Sequence, residues 1–396
     1  MKILMIAPTP FFADRGCHVR IYEETRALQK LGCEVTICTY HNGKDISNLD
    51  IRRIMNIPWY KKLEAGPSFH MMYLDLLLFF KSFMTALKIK PDIIHGHLHE
   101  GAFIGFFVAK IVRKPLLFDC QGSLTGEMRS HKFLKNNRLF YWLTRFIEKR
   151  IDNMANGVIT SSTAVAKELE KLFNVSKERV FPTLDGVDTD NFSPDSDVAE
   201  LKIKLNLPQD KNILVYLGLL NEYQGVDCLL QSIPLVLKET YDVHFLIMGY
   251  PNVGKYRSMA EQLGISSNVT FTGRLDYREA PRYLSLGNIA IAPKISETEA
   301  NGKIYNYMAC GLPIVAFDTT PSREILGDLG IYAKPKDYHS LANSMVEILR
   351  DEELREELSR KVRKKAVRDY SWNKVGERIV KVYEGLMTDA RQDILR

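Results

Sequence analysis

The stretch that decides the fold is ISETEANGKIYNYMACGLPIVA, residues 295–316. Its first half places five polar side chains in a predicted loop and the first turns of a helix, namely Glu297, Glu299, Asn301, Lys303 and Asn306. Its second half is an apolar run typical of a buried strand. The stretch therefore predicts a loop, a helix and a strand in succession, with a cluster of polar groups whose purpose the rest of the sequence must explain.

Short apolar runs alternate with segments of helical periodicity on both sides of this stretch, as in parallel α/β layers. The runs of the first half are KILMIAP, EVTICTY, DIIHGH, PLLFDC and GVITSS, and those of the second half are NILVYLG, HFLIMGY, VTFTG, AIAPK, LPIVAFD and IYAK. Strands that are apolar throughout are typical of sheets covered on both faces. The sequence predicts two doubly wound parallel-sheet domains.

The predicted boundary between the domains lies near GVDTDNFSPDSD, residues 186–197, where polar and turn-forming residues cluster. A chain of 396 residues exceeds one ordinary core of about 150 residues. We therefore expect an N-terminal domain at 1–195, a second at 196–370 and a closing segment at 371–396. That segment is an amphipathic helix with Trp372, Val375, Ile379 and Tyr383 on one stripe.

Composition indicates an ordinary globular protein, with 45% hydrophobic and 26% charged residues. The net charge of +6 suits anionic ligands or an acidic membrane surface, and no motif for nucleic-acid binding is present. The six cysteines have no paired spacing, which favours buried thiols in a reducing, cytoplasmic compartment. The apolar N-terminus is too short for a signal peptide, and no transmembrane segment is expected.

Four stretches together resemble glycosyltransferase family 4: YMACGLPIVAFDTTPSREILGD, GVDTDNFSP, KPDIIHGH and YSWNKVGERIVKVYEGL. The resemblance implies the GT-B fold, in which two Rossmann-like domains face a cleft. The first domain would serve the acceptor and the second the donor nucleotide, and the closing helix would cross back to the first. It also implies metal-independent sugar transfer with retention of configuration, by front-face attack in which the leaving phosphate accepts the acceptor's proton.

The donor site follows from this resemblance together with electrostatics. A leaving nucleoside diphosphate gains negative charge as the glycosidic bond breaks, so fixed donors and cations should face it. Lys303 places a cation in a first helical turn, where a helix by itself favours an acid. We expect Gly16, Arg274, Gly302 and Lys303 at the diphosphate, Glu299 and Asn301 at the donor sugar and Asn306 at the ribose, with Glu299 and Lys303 as the catalytic residues.

The glycine loop after the first strand, PTPFFADRGCHVR, lies where α/β sheets receive ligands. It has Arg15 before Gly16, where relatives often carry a second glycine. There is no G-x-G-x-x-G, which argues against a nicotinamide or flavin cofactor. We expect no cofactor, only a UDP- or GDP-linked sugar as co-substrate.

Three histidines alternate in HGHLHE, namely His95, His97 and His99. A metal site would need further ligands, and no second cluster of His, Cys or carboxylates at ligand spacing is evident. The histidines are interpreted as the end of a buried strand, with one facing the cleft, and no metal is expected.

The segment FDCQGSLTGEM places polar side chains after the next strand. Many relatives have a histidine near Gln121 that touches the donor sugar, so this chain lacks a titratable group there. We expect Arg15, His97, Gln121 and Glu127 on the acceptor side or at the cleft.

The chain departs from the family at four donor-binding positions. Leu219 and Gln224 replace the arginine and lysine that grip the diphosphate, and Thr298 and Asn306 stand at the two glutamate positions. One hypothesis is that Arg274, Lys294 and Lys303 supply the missing charge. A second is a regulatory or non-catalytic sugar-binding protein with a degenerate site. A third is a phosphorylase or epimerase, although no pyridoxal-binding lysine motif is recognisable.

A membrane role is suggested by HKFLKNNRLFYWLTRFIEKR, residues 131–150, which mixes basic and aromatic residues as interfacial helices do. The simpler interpretation is an amphipathic helix packed on the first sheet. Family analogy adds glycan or lipid-linked acceptors and a location in the cytoplasm or at the inner membrane face.

Overall fold

The computed structural model describes residues 1–12, 16–63, 68, 70–130, 138–195, 197–297 and 301–395. The chain forms two compact units. Unit 1 comprises residues 1–186 and 372–396, and unit 2 comprises residues 187–371.

The strands are β1 Lys2–Ala7, β2 Glu34–Thr39, β3 Asp50–Arg53, β4 Ile93–His97, β5 Leu116–Cys120, β6 Gly157–Thr160, β7 Val180–Pro182, β8 Asn212–Leu217, β9 Val243–Met248, β10 Val269–Gly273, β11 Ile289–Ala292, β12 Ile314–Phe317 and β13 Gly330–Ala333. The helices are α1 Gly16–Lys30, α2 Met71–Ile89, α3 Leu98–Val112, α4 Leu124–Ser130, α5 Arg138–Asp152, α6 Thr163–Phe173, α7 Ala199–Lys204, α8 Val226–Glu239, α9 Val253–Gln262, α10 Ala280–Leu284, α11 Lys303–Ala309, α12 Thr320–Leu326, α13 Tyr338–Arg350, α14 Glu352–Asp369 and α15 Trp372–Leu395.

Unit 1 is built on a parallel sheet with the strand order β3-β2-β1-β4-β5-β6-β7. The chain moves from β1 to β3 in one direction and from β4 to β7 in the other. Because parallel crossovers are right-handed, α1 lies on one face of the sheet, and α2, α3, α5 and α6 lie on the other. The closing helix α15 packs against α1, with Val375, Ile379 and Tyr383 fully buried.

Unit 2 repeats this construction with the parallel order β10-β9-β8-β11-β12-β13. Helices α8 and α13 pack together, and α13 also covers β12 and β13. The central strands are buried along nearly their whole length, which explains why they read as continuous apolar runs. The predicted class, two doubly wound parallel-sheet domains, is confirmed.

Helix α5 covers most of residues 131–150, the stretch that the sequence predicts as either an interfacial helix or an amphipathic helix packed on the sheet. Residues 131–137 lie outside the described residues. Its buried residues are Thr144, Glu148, Ile151 and Asp152. Its aromatic and aliphatic side chains instead face outward, with Leu139 and Trp142 exposed to 75% and 66%. Helix α5 is therefore packed mainly through polar side chains, and its apolar side chains lie at the surface.

None of the described helices is both long and apolar enough to span a bilayer. The six cysteines are all free thiols, and Cys33, Cys38, Cys120 and Cys310 are buried.

Candidate functional site

The crevice of unit 2 lies between β8 and β11, neighbours in the sheet from which the chain departs in opposite directions. In open parallel sheets, ligands bind at the carboxyl ends of such a strand pair. Gly225 belongs to the loop after β8 and has a φ of 78°. It lies against the residues that follow β11. A Cβ at Gly225 would lie 1.9 Å from the carbonyl oxygen of Pro293. Only glycine lets the two segments approach this closely.

Lys303, the first residue of α11, directs its ammonium group toward the end of β8. Its Nζ donates hydrogen bonds to Gln224 Oε1 at 2.8 Å and to Tyr216 Oη at 3.2 Å, and lies 4.4 Å from the centroid of the Tyr216 ring. Both polar partners are neutral. Burial, and next the charge of Lys294, lower the pKa of Lys303 well below its usual value. An anionic ligand in the crevice would raise this pKa again and stabilise the ammonium form of Lys303.

The structure brings Lys303 together with two of the four positions where the sequence departs from the family pattern, Leu219 and Gln224. Gln224 accepts the shorter of the two hydrogen bonds. Tyr216, the other acceptor, donates its own hydroxyl proton to the carbonyl oxygen of Leu219 at 2.8 Å. Lys303, Tyr216, Leu219 and Gln224 thus form one connected group at the carboxyl end of β8.

Asn301 is buried, with only 2% of its surface exposed. Neither its amide nitrogen nor its amide oxygen pairs with any described residue. A buried amide without a hydrogen-bond partner is costly, on the order of 1–3 kcal/mol per group. Asn301 lies two residues before Lys303 in the chain, so its amide is a candidate for contact with a polar ligand.

The other two predicted cations of unit 2, Lys294 and Arg274, follow different strands of the sheet. Lys294 follows β11, is 8% exposed and lies 5.5 Å from the centroid of the Tyr223 ring. Its charge contributes to the lowered pKa of Lys303. Arg274 follows β10, two strands away from β8 in the sheet, and its guanidinium lies 5.0 Å from the centroid of the Tyr250 ring. Lys294 therefore lies close enough to Lys303 for its charge to act on it, and Arg274 lies beside Tyr250.

The remaining predicted residues of unit 2 lie around α11. Gly302 precedes the helix and is exposed, and Asn306 lies within it and is half-buried. Glu299 and Thr298 lie outside the described residues. Glu297 accepts hydrogen bonds from the backbone nitrogen and the hydroxyl of Thr320, at 3.2 and 3.4 Å. Glu297 is thus engaged at the start of α12.

In unit 1 the predicted glycine loop is described only in part. Gly16 begins α1, and a Cβ there would meet no atom within 4 Å. Space alone therefore does not require glycine at this position. Arg15 lies outside the described residues, as does the side chain of Glu127 in α4.

A buried ionic network surrounds Asp119 at the end of β5. Arg20 donates to Asp119 from Nε at 2.9 Å and from Nη2 at 2.9 Å, and its Nη1 donates to Asp185. Gln121 Nε2 donates to Asp119 at 2.8 Å, and His97 Nδ1 lies 3.0 Å from the same carboxylate. Burial alone would raise the pKa of Asp119, but Arg20 and His97 hold it well below its usual value.

Two acids complete a buried group that the sequence spacing did not reveal. One oxygen of Glu24 lies 3.7 Å from His95 Nδ1, and the His95 and His97 rings stack at 4.3 Å. Ligand atoms of Glu24, His95, His97 and Asp119 lie within 4.8 Å of one another. Sequence spacing could not reveal these carboxylates, since Glu24 comes from α1 and Asp119 from β5. Arg20 already supplies positive charge to this group, and the expected absence of a metal stays a prediction.

His99 belongs to a second buried group, at the start of α3. Its Nε2 lies 3.3 Å from Asp152 Oδ1 and 3.9 Å from Glu148 Oε1. Glu148 also accepts hydrogen bonds from Ser123 Oγ at 2.7 Å and from the backbone nitrogen of Thr125 at 3.2 Å. Burial alone would lower the pKa of His99, but Asp152 and Glu148 raise it to about 9. The two carboxylates thus favour the protonated form of His99 in the folded protein.

This pKa predicts how stability depends on pH. The folded value of about 9 exceeds the unfolded value of about 6.5. The stabilisation from His99 is therefore complete below pH 6.5 and is lost as the pH rises through 9. Urea unfolding at pH 6 and pH 9.5 measures the free energy of unfolding of wild type and of His99→Gln. The difference between the two proteins should be larger at pH 6 than at pH 9.5. An equal difference at both values would contradict a charged His99.

Two family models match this chain. One, described as "Glycosyltransferase Family 4", matches residues 15–191, and the other, "Glycosyl transferases group 1", matches residues 197–365. A phosphatidyl-myo-inositol mannosyltransferase of Mycobacterium leprae is 26% identical, with 98% of each chain covered. A sulfoquinovosyl transferase of Arabidopsis thaliana is 23% identical over 93% of this chain and 70% of its own length.

The fold has close counterparts among solved structures. A sucrose-phosphate synthase from Thermosynechococcus elongatus has a TM-score of 0.83 at 18% identity, covering 98% of this chain and 99% of that one. Anabaena HepE in complex with UDP-glucose has a TM-score of 0.79 at 16% identity, covering 97% and 100%. These likenesses establish the GT-B fold for this chain. With family models matching both halves and glycosyltransferases among its full-length relatives, the protein is a glycosyltransferase that belongs to family 4.

Proposed function

We propose that this glycosyltransferase moves a hexose from a UDP- or GDP-linked sugar to a hydroxyl of a glycan or lipid-linked acceptor, as in polysaccharide biosynthesis. The observation that carries the proposal is Lys303, an ammonium group held by neutral partners beside Lys294 in the crevice of unit 2. Such a site suits a diphosphate, whose negative charge increases as the sugar leaves. HepE, with which the fold is shared, was crystallised with UDP-glucose.

The position of Lys303 favours relocation of charge over decay of the donor site. In the family pattern, a lysine at position 224 would grip the diphosphate. Here Gln224 accepts a hydrogen bond from Lys303 at 2.8 Å, so a cation still lies beside residue 224. Gln224 would therefore orient the ammonium group through this hydrogen bond, and Lys303 would bind the diphosphate in place of the missing lysine.

We assign the remaining roles from the family pattern and, for the described residues, from position. Lys294 would share the diphosphate with Lys303, and Asn301, whose buried amide pairs with no described residue, would bind the donor sugar. The other assignments are Arg274, Gly16 and Gly302 to the diphosphate, Glu299 to the donor sugar, Asn306 to the ribose, and Arg15, His97, Gln121 and Glu127 to the acceptor side. Asn306 would bind the ribose without the charge assistance that a glutamate provides.

The proposed reaction retains the anomeric configuration and needs no side-chain nucleophile. The acceptor hydroxyl attacks the anomeric carbon from the face that the diphosphate leaves. Its proton passes to the departing phosphate oxygen. The protein contributes positioning and electrostatic stabilisation of the leaving group.

The test is an assay of nucleoside diphosphate release with a set of UDP- and GDP-sugars and lipid or glycan acceptors. We expect that the nucleoside diphosphate is released only when an acceptor is present. We also expect the NMR spectrum of the product to show the anomeric configuration of the donor. Inverted configuration would refute the front-face mechanism. Release from none of these donors would refute the donor class.

Chelation tests the expected metal independence. Because lysines would neutralise the leaving diphosphate, excess EDTA should leave the initial rate of transfer unchanged within about twofold. A loss of activity that added Mg²⁺ or Zn²⁺ restores would contradict this prediction and would direct attention to Glu24, His95, His97 and Asp119.

A further inference from the structure

Most of the exposed, large apolar side chains among the described residues belong to three helices of unit 1. They are Met72, Leu76, Phe80, Met84 and Leu87 on α2, Phe103, Phe107 and Ile111 on α3, and Leu139, Phe140, Tyr141, Trp142, Leu143, Phe146 and Ile147 on α5. The described residues of unit 2 contribute only Ile203, Tyr241 and Val367. We call the set on the three helices the apolar face.

The three helices form one continuous surface. Helix α3 packs against both α2 and α5, and all three lie on the same side of the sheet. Helix α2 is about 28 Å long and adjacent helix axes lie roughly 10 Å apart. The apolar face therefore covers several hundred Å², about the upper limit of what soluble monomers usually expose.

The solvent side of α2 is unusual even for an amphipathic helix. Its exposed positions are Met72, Leu76, Phe80, Met84, Leu87 and Lys88. These positions repeat at helical spacing along the whole element. The opposite side of α2 is the one that packs toward the sheet. Its buried residues are Leu74, Leu78, Ser82, Thr85 and Ala86.

Every exposed charge on the three helices is positive. The exposed charged residues are Lys88 on α2, Lys110 on α3, and Arg138 and Arg150 on α5. The acidic residues of these helices are Asp75, Glu100, Glu148 and Asp152, and each is buried or half-buried. An anionic surface would thus meet cations and apolar groups without repulsion.

Two of these cations also lie over aromatic rings of the same helices. Lys110 Nζ is 4.5 Å from the centroid of the Phe106 ring, and the Arg150 guanidinium is 5.0 Å from that of Phe146. Aromatic and aliphatic groups flanked by Lys and Arg are typical of helices in the headgroup region of a membrane. Protein interfaces, by contrast, are depleted in lysine.

We propose that the apolar face docks unit 1 onto a membrane rich in anionic phospholipid. The apolar side chains would enter the boundary between headgroups and acyl chains, and the four cations would contact lipid phosphates. This inference rests on the proposed action on lipid-linked or membrane-associated acceptors, because docking would bring such acceptors to unit 1. It does not depend on the identity of the donor.

The experiment is flotation of the purified full chain with vesicles, without nucleotide. One set is phosphatidylcholine and the other is phosphatidylcholine with phosphatidylglycerol. The test variant is Leu76→Glu with Phe80→Glu and Trp142→Glu, all at exposed positions. The matched control is Ile203→Glu with Tyr241→Glu, which changes exposed apolar residues of unit 2.

Wild type and the control should float with the anionic vesicles, more than with neutral ones and less at high salt. The affinity of the test variant for the anionic vesicles should be lower by about tenfold or more. Failure of wild type to float, or equal flotation of the test variant, would overturn the proposal. So would a wild-type dimer that the test variant converts to monomers, since a second copy would then cover the face.

Calorimetric titration with a nucleoside diphosphate, in the absence of vesicles, separates this inference from the proposed function. The test variant should bind nucleotide as wild type does, because its substitutions lie outside the crevice of unit 2. Equal nucleotide affinity with lost flotation supports docking. Lost nucleotide affinity together with lost flotation would indicate a folding defect and overturn the assignment to these side chains.

Discussion

Lys303→Ala should lower kcat/KM for the nucleotide-sugar donor by about 100-fold or more, because the ammonium group would face the charge that develops on the leaving diphosphate. Affinity for the free nucleotide should fall less, by roughly 10- to 100-fold, as expected for one charge-assisted hydrogen bond. Steady-state rates of diphosphate release and calorimetric titration measure the two quantities.

Stability distinguishes this role from a structural one. Lys303 is an ammonium group with a lowered pKa and two neutral partners, so its removal should leave the thermal midpoint unchanged or raise it. The matched control is Lys361→Ala, an exposed lysine of unit 2 that pairs with Glu357. The control should retain wild-type kinetics. Unchanged kinetics in Lys303→Ala would refute the assignment.

Arg20→Met should destabilise unit 1 by about 3–5 kcal/mol, the cost of leaving a buried carboxylate without its partner. Arg20 is 3% exposed and Asp119 is fully buried. Methionine keeps most of the side-chain volume, so the loss would reflect charge and hydrogen bonds. Urea unfolding followed by circular dichroism measures the effect.

A surface ion pair of the same sheet provides the comparison. Arg52 lies 2.6 Å from Asp50, but their side chains are 47% and 40% exposed. Arg52→Met should therefore cost less than about 1 kcal/mol. If the two substitutions had equal effects, the network around Asp119 would not contribute as the buried geometry implies.

The sequence predicted the fold well because buried parallel strands leave a strong pattern. Each predicted apolar run overlaps a strand of the structure, with boundaries that differ by at most two residues, and residues 314–317 form β12 as the opening stretch implied. Strands β3 and β7 were missed. Strand β3 reads DIRR and has no fully buried residue, and β7 is three residues long and ends in proline. Edge strands of this kind lack the apolar signal that identifies central strands.

The candidate site was predictable only where family spacing applied. Lys303 was recognised because a cation begins a helix beside a glycine, but its hydrogen bond to Gln224 depends on a turn after β8 that no local pattern encodes. Arg20 and Glu24 were missed for a similar reason. They lie four residues apart on α1, and only the packing of α1 on the sheet shows that their side chains are buried against Asp119 and His95.

The most direct test of the central claim, that this glycosyltransferase binds a nucleotide-sugar donor through Lys303, is calorimetric titration of the wild-type protein with UDP, GDP and ADP. We predict that UDP or GDP binds with a Kd in the micromolar range, and that Lys303→Ala weakens this binding. No heat of binding with any of the three nucleotides would contradict the claim.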